Sequence, residues 1–336
     1  MLLALLPRAR IMALRVMTPT FFEGPEKKVE LVVDAGQPSL RSWGDDAWAT
    51  VVNAAGAQVL SVIRDDCCDA YLLSESSLFV YDRYLTMITC GRTTLVDAVL
   101  HLLERIPPAA VSLLIYERKN EHFPELQHSS FYDDARRLAA CIPGAAYRFG
   151  DEHDHHVQVF CSAREFTPDS QDTTVEILMH GLPEDAASRF VGCERPSAGT
   201  IADARGITRL LPGFVVDEHP FTPAGYSMNA IREGGDYYTI HVTPEALGSY
   251  VSFESNVDFR GSLHALVSGV IGIFRPRSFD VVTFAPVGKP SEEVNVEGYR
   301  VKDSVGTTLA GYDVRFWHCY QPILEPRRPS VLSIDP

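Results

Sequence analysis

The order strand, strand, helix, strand is written twice into this chain, and that repetition narrows its fold more than any other feature. In the first half, Glu30-Leu31-Val32-Val33 reads as a strand, and residues 45–55 read as an amphipathic helix that Gly56 can end. Val80, Tyr84, Leu85, Met87 and Ile88 then predict a buried hairpin. Thr93-Thr94 can cap a helix over residues 95–106, with Leu95, Val99, Leu102, Leu103 and Ile106 on one stripe, and Pro107-Pro108 stops it. Residues 111–116 form a continuous apolar strand, and residues 130–141 another amphipathic helix closed by Pro143-Gly144. The second half repeats the series with strands at 237–242 and 250–253, a helix at 263–274 and a strand at 279–284. Clustered strands with helices outside predict an α+β layered domain rather than alternating βαβ units. The linkers at 167–173 and 191–199 are short and polar, so residues 21–321 are expected to form a single domain. Residues 1–20 carry three arginines and no acid. They are expected to be a disordered extension upstream of a working start at Met12 or Met17, with an organelle presequence as the alternative. Residues 322–336 are proline-rich and expected to be a loose tail.

Charge restricts the partners. With 44 acidic against 30 basic side chains, the formal net charge is −14. Such a chain is not expected to bind nucleic acid or an anionic membrane surface, and it suits a cationic substrate. No apolar run approaches the ~18 residues of a membrane span. The seven cysteines are odd in number and irregularly spaced, with no C-x-x-C, which predicts mostly buried thiols in a reducing, cytoplasmic setting.

The chemistry centres on Leu73-Ser74-Glu75-Ser76-Ser77-Leu78-Phe79-Val80, running on to Thr89-Cys90-Gly91. A serine held on a rigid strand can attack the carbonyl just before it. The Ser76 hydroxyl would turn the Glu75–Ser76 amide into an ester, and β-elimination would break the chain and leave an N-terminal pyruvoyl group. Read alone, Ser-Glu-Ser-Ser is a polar turn leading into a core strand, and only the wider context favours self-cleavage. His241 shares a strand face with Thr239 and Thr243, while Ile240 and Val242 take the other. Polar residues on one face of a core strand mean solvent or a site. Two other signals are set aside. In His153-Asp154-His155-His156, residues 155 and 156 point to opposite faces of any strand and no second ligand pair lies at metal spacing, so a solvated loop and no metal are expected. Gly234-Gly235 lacks a following helix and makes no phosphate cradle.

Ordered blocks surround the serine motif: Phe21-Phe22-Glu23-Gly24-Pro25-Glu26-Lys27, Thr174-Val175-Glu176-Ile177-Leu178-Met179, Gly225-Tyr226-Ser227-Met228-Asn229, residues 238–245 and residues 250–256. Together they resemble the eukaryotic S-adenosylmethionine decarboxylases, pyruvoyl enzymes of polyamine synthesis, over roughly residues 21–320. The resemblance implies a four-layer αββα sandwich of two antiparallel sheets flanked by helices. It implies self-cleavage between Glu75 and Ser76 into chains 1–75 and 76–336, and decarboxylation of S-adenosylmethionine to the aminopropyl donor for spermidine and spermine. The Ser76 pyruvoyl would form a Schiff base with the substrate amine and act as electron sink, with no metal and no pyridoxal phosphate. Cys90 matches the proton donor, and Ser227 and His241 match residues that assist processing. Phe22 and Phe221 match the pair that sandwiches adenine, and Glu245 the ribose acceptor, while Glu23, Glu26 and Glu75 put carboxylates near the sulfonium and amine ends.

Glu30, Asp172, Glu176 and Glu254 match the buried acids that bind putrescine in animal members. Those members have lysine at the position of Ile88 and phenylalanine at that of Ile115, and an apolar residue where this chain has Lys28. Buried carboxylates need cations; Lys28 shares a strand face with Glu30, and Arg118 matches a basic family residue near the cluster, so the two are expected to supply in cis the charge that putrescine supplies elsewhere. The alternative is a Lys28 that points to solvent at a strand end. A homodimer is expected in some members and not in others. A catalytically inactive paralogue that partners an active decarboxylase is the rival reading, and the presence of Ser76, Cys90, Ser227, His241 and Glu245 speaks against it.

Overall fold

The structure, a computed structural model, describes residues 21–288 and 292–323. The expected extension at 1–20 and all but the first two residues of the expected tail lie outside the described residues. Among the described residues, sixteen strands form two eight-stranded antiparallel sheets. The first holds β1 (Lys27–Val33), β2 (Val59–Arg64), β3 (Asp69–Leu73), β4 (Ser76–Val80), β5 (Tyr84–Thr89), β6 (Val111–Lys119), β7 (Gly144–Gly150) and β8 (His156–Ser162), in the order β2-β3-β4-β5-β1-β6-β8-β7. The second holds β9 (Thr174–His180), β10 (Val215–Pro220), β11 (Tyr226–Arg232), β12 (Asp236–Thr243), β13 (Tyr250–Ser255), β14 (Ser278–Pro286), β15 (Arg300–Leu309) and β16 (Tyr312–Tyr320), in the order β10-β11-β12-β13-β9-β14-β16-β15. Adding eight to each strand number of the first order gives the second. The repeat read in the sequence is thus a duplication of the whole sheet.

Period-2 alternation separates the layers. In β1, Val29, Leu31 and Val33 join an apolar core with Leu114 and Tyr116 of β6 and with the helices α1 (Asp45–Ala54), α2 (Leu95–Arg105) and α3 (Phe131–Ala139). Truncating a fully buried member such as Leu102 to alanine is expected to destabilise by about 2–5 kcal/mol. The second sheet buries its outer face in the same way, chiefly under α4 (Leu263–Phe274), the counterpart of α2 between the fifth and sixth strands. Between the sheets lies a third apolar cluster, with Leu113, Ile115 and Val159 against Val282, Phe284 and Phe316. A smaller one gathers Ala70 and Phe79 with Ile231 and Tyr237. The layers are therefore helix, sheet, sheet, helix. Among the described residues, no helix is long and apolar enough to cross a membrane.

Candidate active site and buried charge cluster

Ser76 opens β4 directly after the Ser74-Glu75 turn, paired with Leu73 on one side and Thr89 on the other. Its φ is +125°, a region that L-residues with a side chain rarely occupy, so the peptide preceding its side chain is strained. The residue is buried, and its hydroxyl has no hydrogen-bond partner. Across the hairpin, the backbone N–H of Cys90 donates to the Glu75 carbonyl oxygen at 3.0 Å, and the Cys90 thiol lies 3.5 Å from the same oxygen. The carbonyl next to Ser76 is thus polarised by the residue expected to act beside it. Burial, then the Glu75 and Glu26 carboxylates, pushes the Cys90 thiol well above its usual range, so it is held as the acid. Burial raises the Glu75 carboxyl to about 7, and its Oε2 has no partner. The Lys27 ammonium donates to the Gly91 carbonyl at 3.3 Å and holds the turn after Cys90.

His241 stands opposite Ser227 in the β11–β12 ladder, and its Nδ1 lies 2.8 Å from the Ser227 hydroxyl. Its Nε2 lies 2.8 Å from Thr239 Oγ1 and 3.0 Å from Ser77 Oγ, and Ser77 also donates to Asn229 Oδ1 at 2.5 Å. Burial lowers the His241 pKa to about 3, so the ring is neutral. Of the adjacent serines 76 and 77, the one bonded to His241 is therefore Ser77. Ser77 and Phe79 face the other sheet while Leu78 and Val80 face the helices, so Ser76 is one step out of phase with the histidine. Asn229, Thr239 and Ser77 complete a polar network that the sequence reading names only through Thr239.

The loop before β1 closes the site. Phe22 donates its N–H to Glu245 at 3.4 Å, and a Cβ on Gly91 would sit 3.1 Å from both the Phe22 ring and Glu75 Oε2, so these four residues meet. Gly91 has φ +65°, which glycine takes without strain. Glu26 accepts from Ser252 at 2.7 Å, and burial raises its carboxyl to about 8. The Glu23 carboxylate accepts the backbone N–H groups of His122 and Phe123 at 2.8 and 2.9 Å, so it fastens that loop. Phe221 packs on the turn before β11, its ring centroid 4.8 Å from His219.

A buried charge cluster lies between the sheets. The Lys28 ammonium is 2.8 Å from Glu30, 2.9 Å from Glu176, 3.2 Å from Glu254 and 3.9 Å from Glu117. It points into the protein and not to solvent. Arg118 is a correction: it does not join this cluster. The register pairs Lys28 with Glu117 and Lys27 with Arg118, so alternation turns Arg118 outward to Asp134 of α3 at 2.9 Å and to Glu121. Lys119, one residue on, is the second cation inside, bonded to Glu117 at 2.9 Å and to Glu176. Burial works against the charge on Glu176, but Lys119 and Lys28 overcome it and hold its pKa down to about 2. Burial raises Glu117 and Glu254 each to about 7, and Tyr237 donates to Glu254 at 2.6 Å. Asp172 sits at the cluster's rim, bonded by the Tyr312 hydroxyl, in a pocket that also reaches Glu30 and Tyr237. Glu117 and Lys119 went unread, although their spacing from Ile115 on one strand face is the signal that finds them.

His153, Asp154 and His155 lie in the β7–β8 turn and His156 opens β8, as a correction to the expected solvated loop: His155 Nδ1 lies 3.0 Å from Asp280 of the second sheet, beside His180 and His318. Ligand-type residues distant in sequence meet there.

A duplicated pair of eight-stranded sheets with a polar site between them is the architecture of the decarboxylase sandwich. The crystal structure of the Trypanosoma brucei AdoMetDC-delta26 monomer shares this fold, with a TM-score of 0.56 and 23% identity over 73% of this chain and 99% of that one. The profile of the family described as adenosylmethionine decarboxylase matches residues 19–321, and the chain belongs to that family of carboxy-lyases. It is 36% identical to the S-adenosylmethionine decarboxylase proenzyme of Dictyostelium discoideum over 87% of this chain and 84% of the relative. It is 35% identical to the proenzyme of Xenopus laevis, over 88% and 94% of the two chains. For the proenzyme of Helianthus annuus the identity is 33%, over 86% and 88%.

Proposed function

We propose that the chain cleaves itself between Glu75 and Ser76 and then decarboxylates S-adenosylmethionine, yielding the aminopropyl donor for spermidine and spermine. The observation that carries this reading is the strained, buried Ser76 hydroxyl next to a Glu75 carbonyl held by the Cys90 N–H. In processing, Ser76 Oγ bonds to the Glu75 carbonyl carbon and the amide nitrogen leaves with a proton, giving an ester. The Cys90 N–H bears the negative charge that develops on the oxygen. Loss of the Ser76 α-proton then expels the Glu75 carboxylate, and water replaces the α-nitrogen, released as ammonia. In this reading the base is neutral His241, which bonds to Ser227 and to Ser77, the residue after the attacking serine.

The buried, unpartnered Ser76 position fits a pyruvoyl group, which supplies the electron sink for loss of carbon dioxide. The protein's part is to bind and to move protons. Phe22 and Phe221 offer ring faces to adenine, Glu245 accepts from ribose, and Glu26 and Glu75 lie where a cationic sulfonium and amine would draw them to the ionised form. The Cys90 thiol, kept protonated by its surroundings, delivers a proton to the α-carbon after carbon dioxide leaves.

Lys28 takes over, in this reading, the charge that the diamine carries in animal members. It pairs across the ladder with Ile88, the very position where those members hold a lysine. The cation has moved one strand over. Denaturing electrophoresis with mass spectrometry tests the central proposal. Two chains, 1–75 and a blocked 76–336, are expected from the wild type and one intact chain from Ser76→Ala; a wild type that stays intact after long incubation supports the inactive partner instead.

A further inference from the structure

The β-ladders bring a second set of chemically capable side chains together outside the site just described. Asp280 on β14 pairs directly with His318 on β16, and Ser278, two residues earlier on β14, pairs with His180 at the end of β9. The turn between β7 and β8 reaches over from the first sheet and inserts His155. Asp280 Oδ2 then lies 3.0 Å from His155 Nδ1 and 3.3 Å from His180 Nε2, while Oδ1 lies 2.6 Å from His318 Nδ1. One ligand atom from each of His155, His180 and Asp280 falls within 4.8 Å of the others. His180 is only 8% exposed, yet neither of its ring nitrogens makes a hydrogen bond. A buried imidazole aimed at a carboxylate with both nitrogens unsatisfied is an uncompensated polar group unless something else takes the lone pair.

We propose that His155, His180 and Asp280 form a divalent transition-metal site of the zinc class that ties the β7–β8 turn of one sheet to β9 and β14 of the other, with His318 fixing the carboxylate through its second oxygen. Zinc takes imidazole nitrogen and carboxylate oxygen at about 2.0–2.2 Å in a tetrahedron, which puts ligand atoms roughly 3.3 Å apart. The oxygen–nitrogen separations already present are 3.0 and 3.3 Å. The donor set suits a borderline cation rather than calcium or magnesium, which prefer oxygen alone. Asp280 is buried, and its two carboxylate oxygens face the three imidazoles of His155, His180 and His318. On binding, the metal displaces the Nδ1 proton that His155 shares with Asp280, and that proton leaves to solvent. A surface pocket lined by Asp154, His155, Lys302 and His318 gives the ion its way in, and the exposed Lys302, which bonds Asp154, can swing aside. The carboxylate bond from His318 is the kind of outer contact that orients a ligand and raises affinity.

Calorimetric titration of the chelator-stripped full chain with Zn²⁺, together with its melting temperature, tests the site. One ion per chain and a rise in melting temperature are expected. His155→Ala lies on a turn and should fold normally, so a loss of affinity of about 100-fold or more is expected there, and likewise in Asp280→Asn. His153→Ala, exposed on the same turn, should bind as the wild type does. The proposal is overturned by a wild type with no saturable binding at micromolar zinc, by retention of wild-type affinity in His155→Ala or Asp280→Asn, or by an equal loss in His153→Ala.

Discussion

Burial raises the carboxyls of Glu26 and Glu75 to about 8 and about 7, so both protonate more readily folded than unfolded. A carboxyl whose folded pKa is raised contributes stability that is full below its unfolded pKa and is lost as pH rises through the folded value. For Glu26 that window runs from 4.5 to 8. Glu26→Gln keeps the shape and cannot ionise. Its thermal stability relative to the wild type is therefore expected to improve as pH rises through the window, by up to about 1.4 kcal/mol per pH unit. Melting curves across the window check this, and a gap between the two proteins that does not change with pH would sink it. Cys90→Ala makes a different prediction. The backbone N–H on the Glu75 carbonyl survives the substitution, so cleavage should persist while turnover falls by about 10²–10⁴-fold. Normal turnover of cleaved Cys90→Ala would reduce the thiol to packing. Single-turnover assays on the cleaved protein separate the two steps.

At the scale of the strand, parity decides which charges meet. Lys28, Glu30, Glu117 and Lys119 face between the sheets, while Lys27 and Arg118 face the helix layer. Removing one partner of a buried ion network leaves the others uncompensated, at a cost of about 3–5 kcal/mol. Lys28→Leu in β1 is expected to lower stability on that scale and to make activity and melting temperature respond to millimolar putrescine, with the wild type changing little. Strong stimulation of the wild type by the diamine would overturn the in-cis assignment. The same alternation explains what could be read in advance. The hairpin of β4 and β5 and the central strands β6, β12, β13 and β14 are dense in apolar residues, and the reading placed them within a few residues. The edge strands β7 and β15 are exposed along most of their length and carry no apolar stripe that marks them in the sequence, whereas half-buried β2 is apolar at Val59, Leu60, Val62 and Ile63 and was missed all the same. The Arg118 error is one residue wide, because matching a block in sequence does not say which face a side chain takes until the bulges and register are known. The meeting of His155 with His180, Asp280 and His318 was illegible for a further reason. It depends on how the two sheets stack, which no local pattern records.

For the whole molecule, the proposed cut falls at a demanding place. Residues 1–75 contribute β1, β2 and β3 to the first sheet, and β1 lies in its interior, paired with β5 on one side and β6 on the other. Both neighbours belong to residues 76–336, and β3 pairs with β4 directly across the cut. Val29 and Leu31 are fully buried in the outer core, and Lys28 is locked to acids of both sheets. The cleaved chains are therefore expected to stay together as one particle in native gel filtration and to part only on denaturation. Refolding should then tell cut from uncut protein. In the uncut chain β1 reaches its slot by closing an intramolecular loop, whose entropic cost grows only slowly with length. After cleavage the same strand must find its slot in a bimolecular encounter. Ser76→Ala diluted from denaturant should recover at a rate and yield independent of protein concentration, whereas the cleaved wild type should recover more slowly and less completely as it is diluted. Light scattering and intrinsic fluorescence across a range of concentrations measure both. A cleaved protein that refolds with first-order kinetics and undiminished yield at high dilution would show that residues 76–336 reach the native sheet without β1.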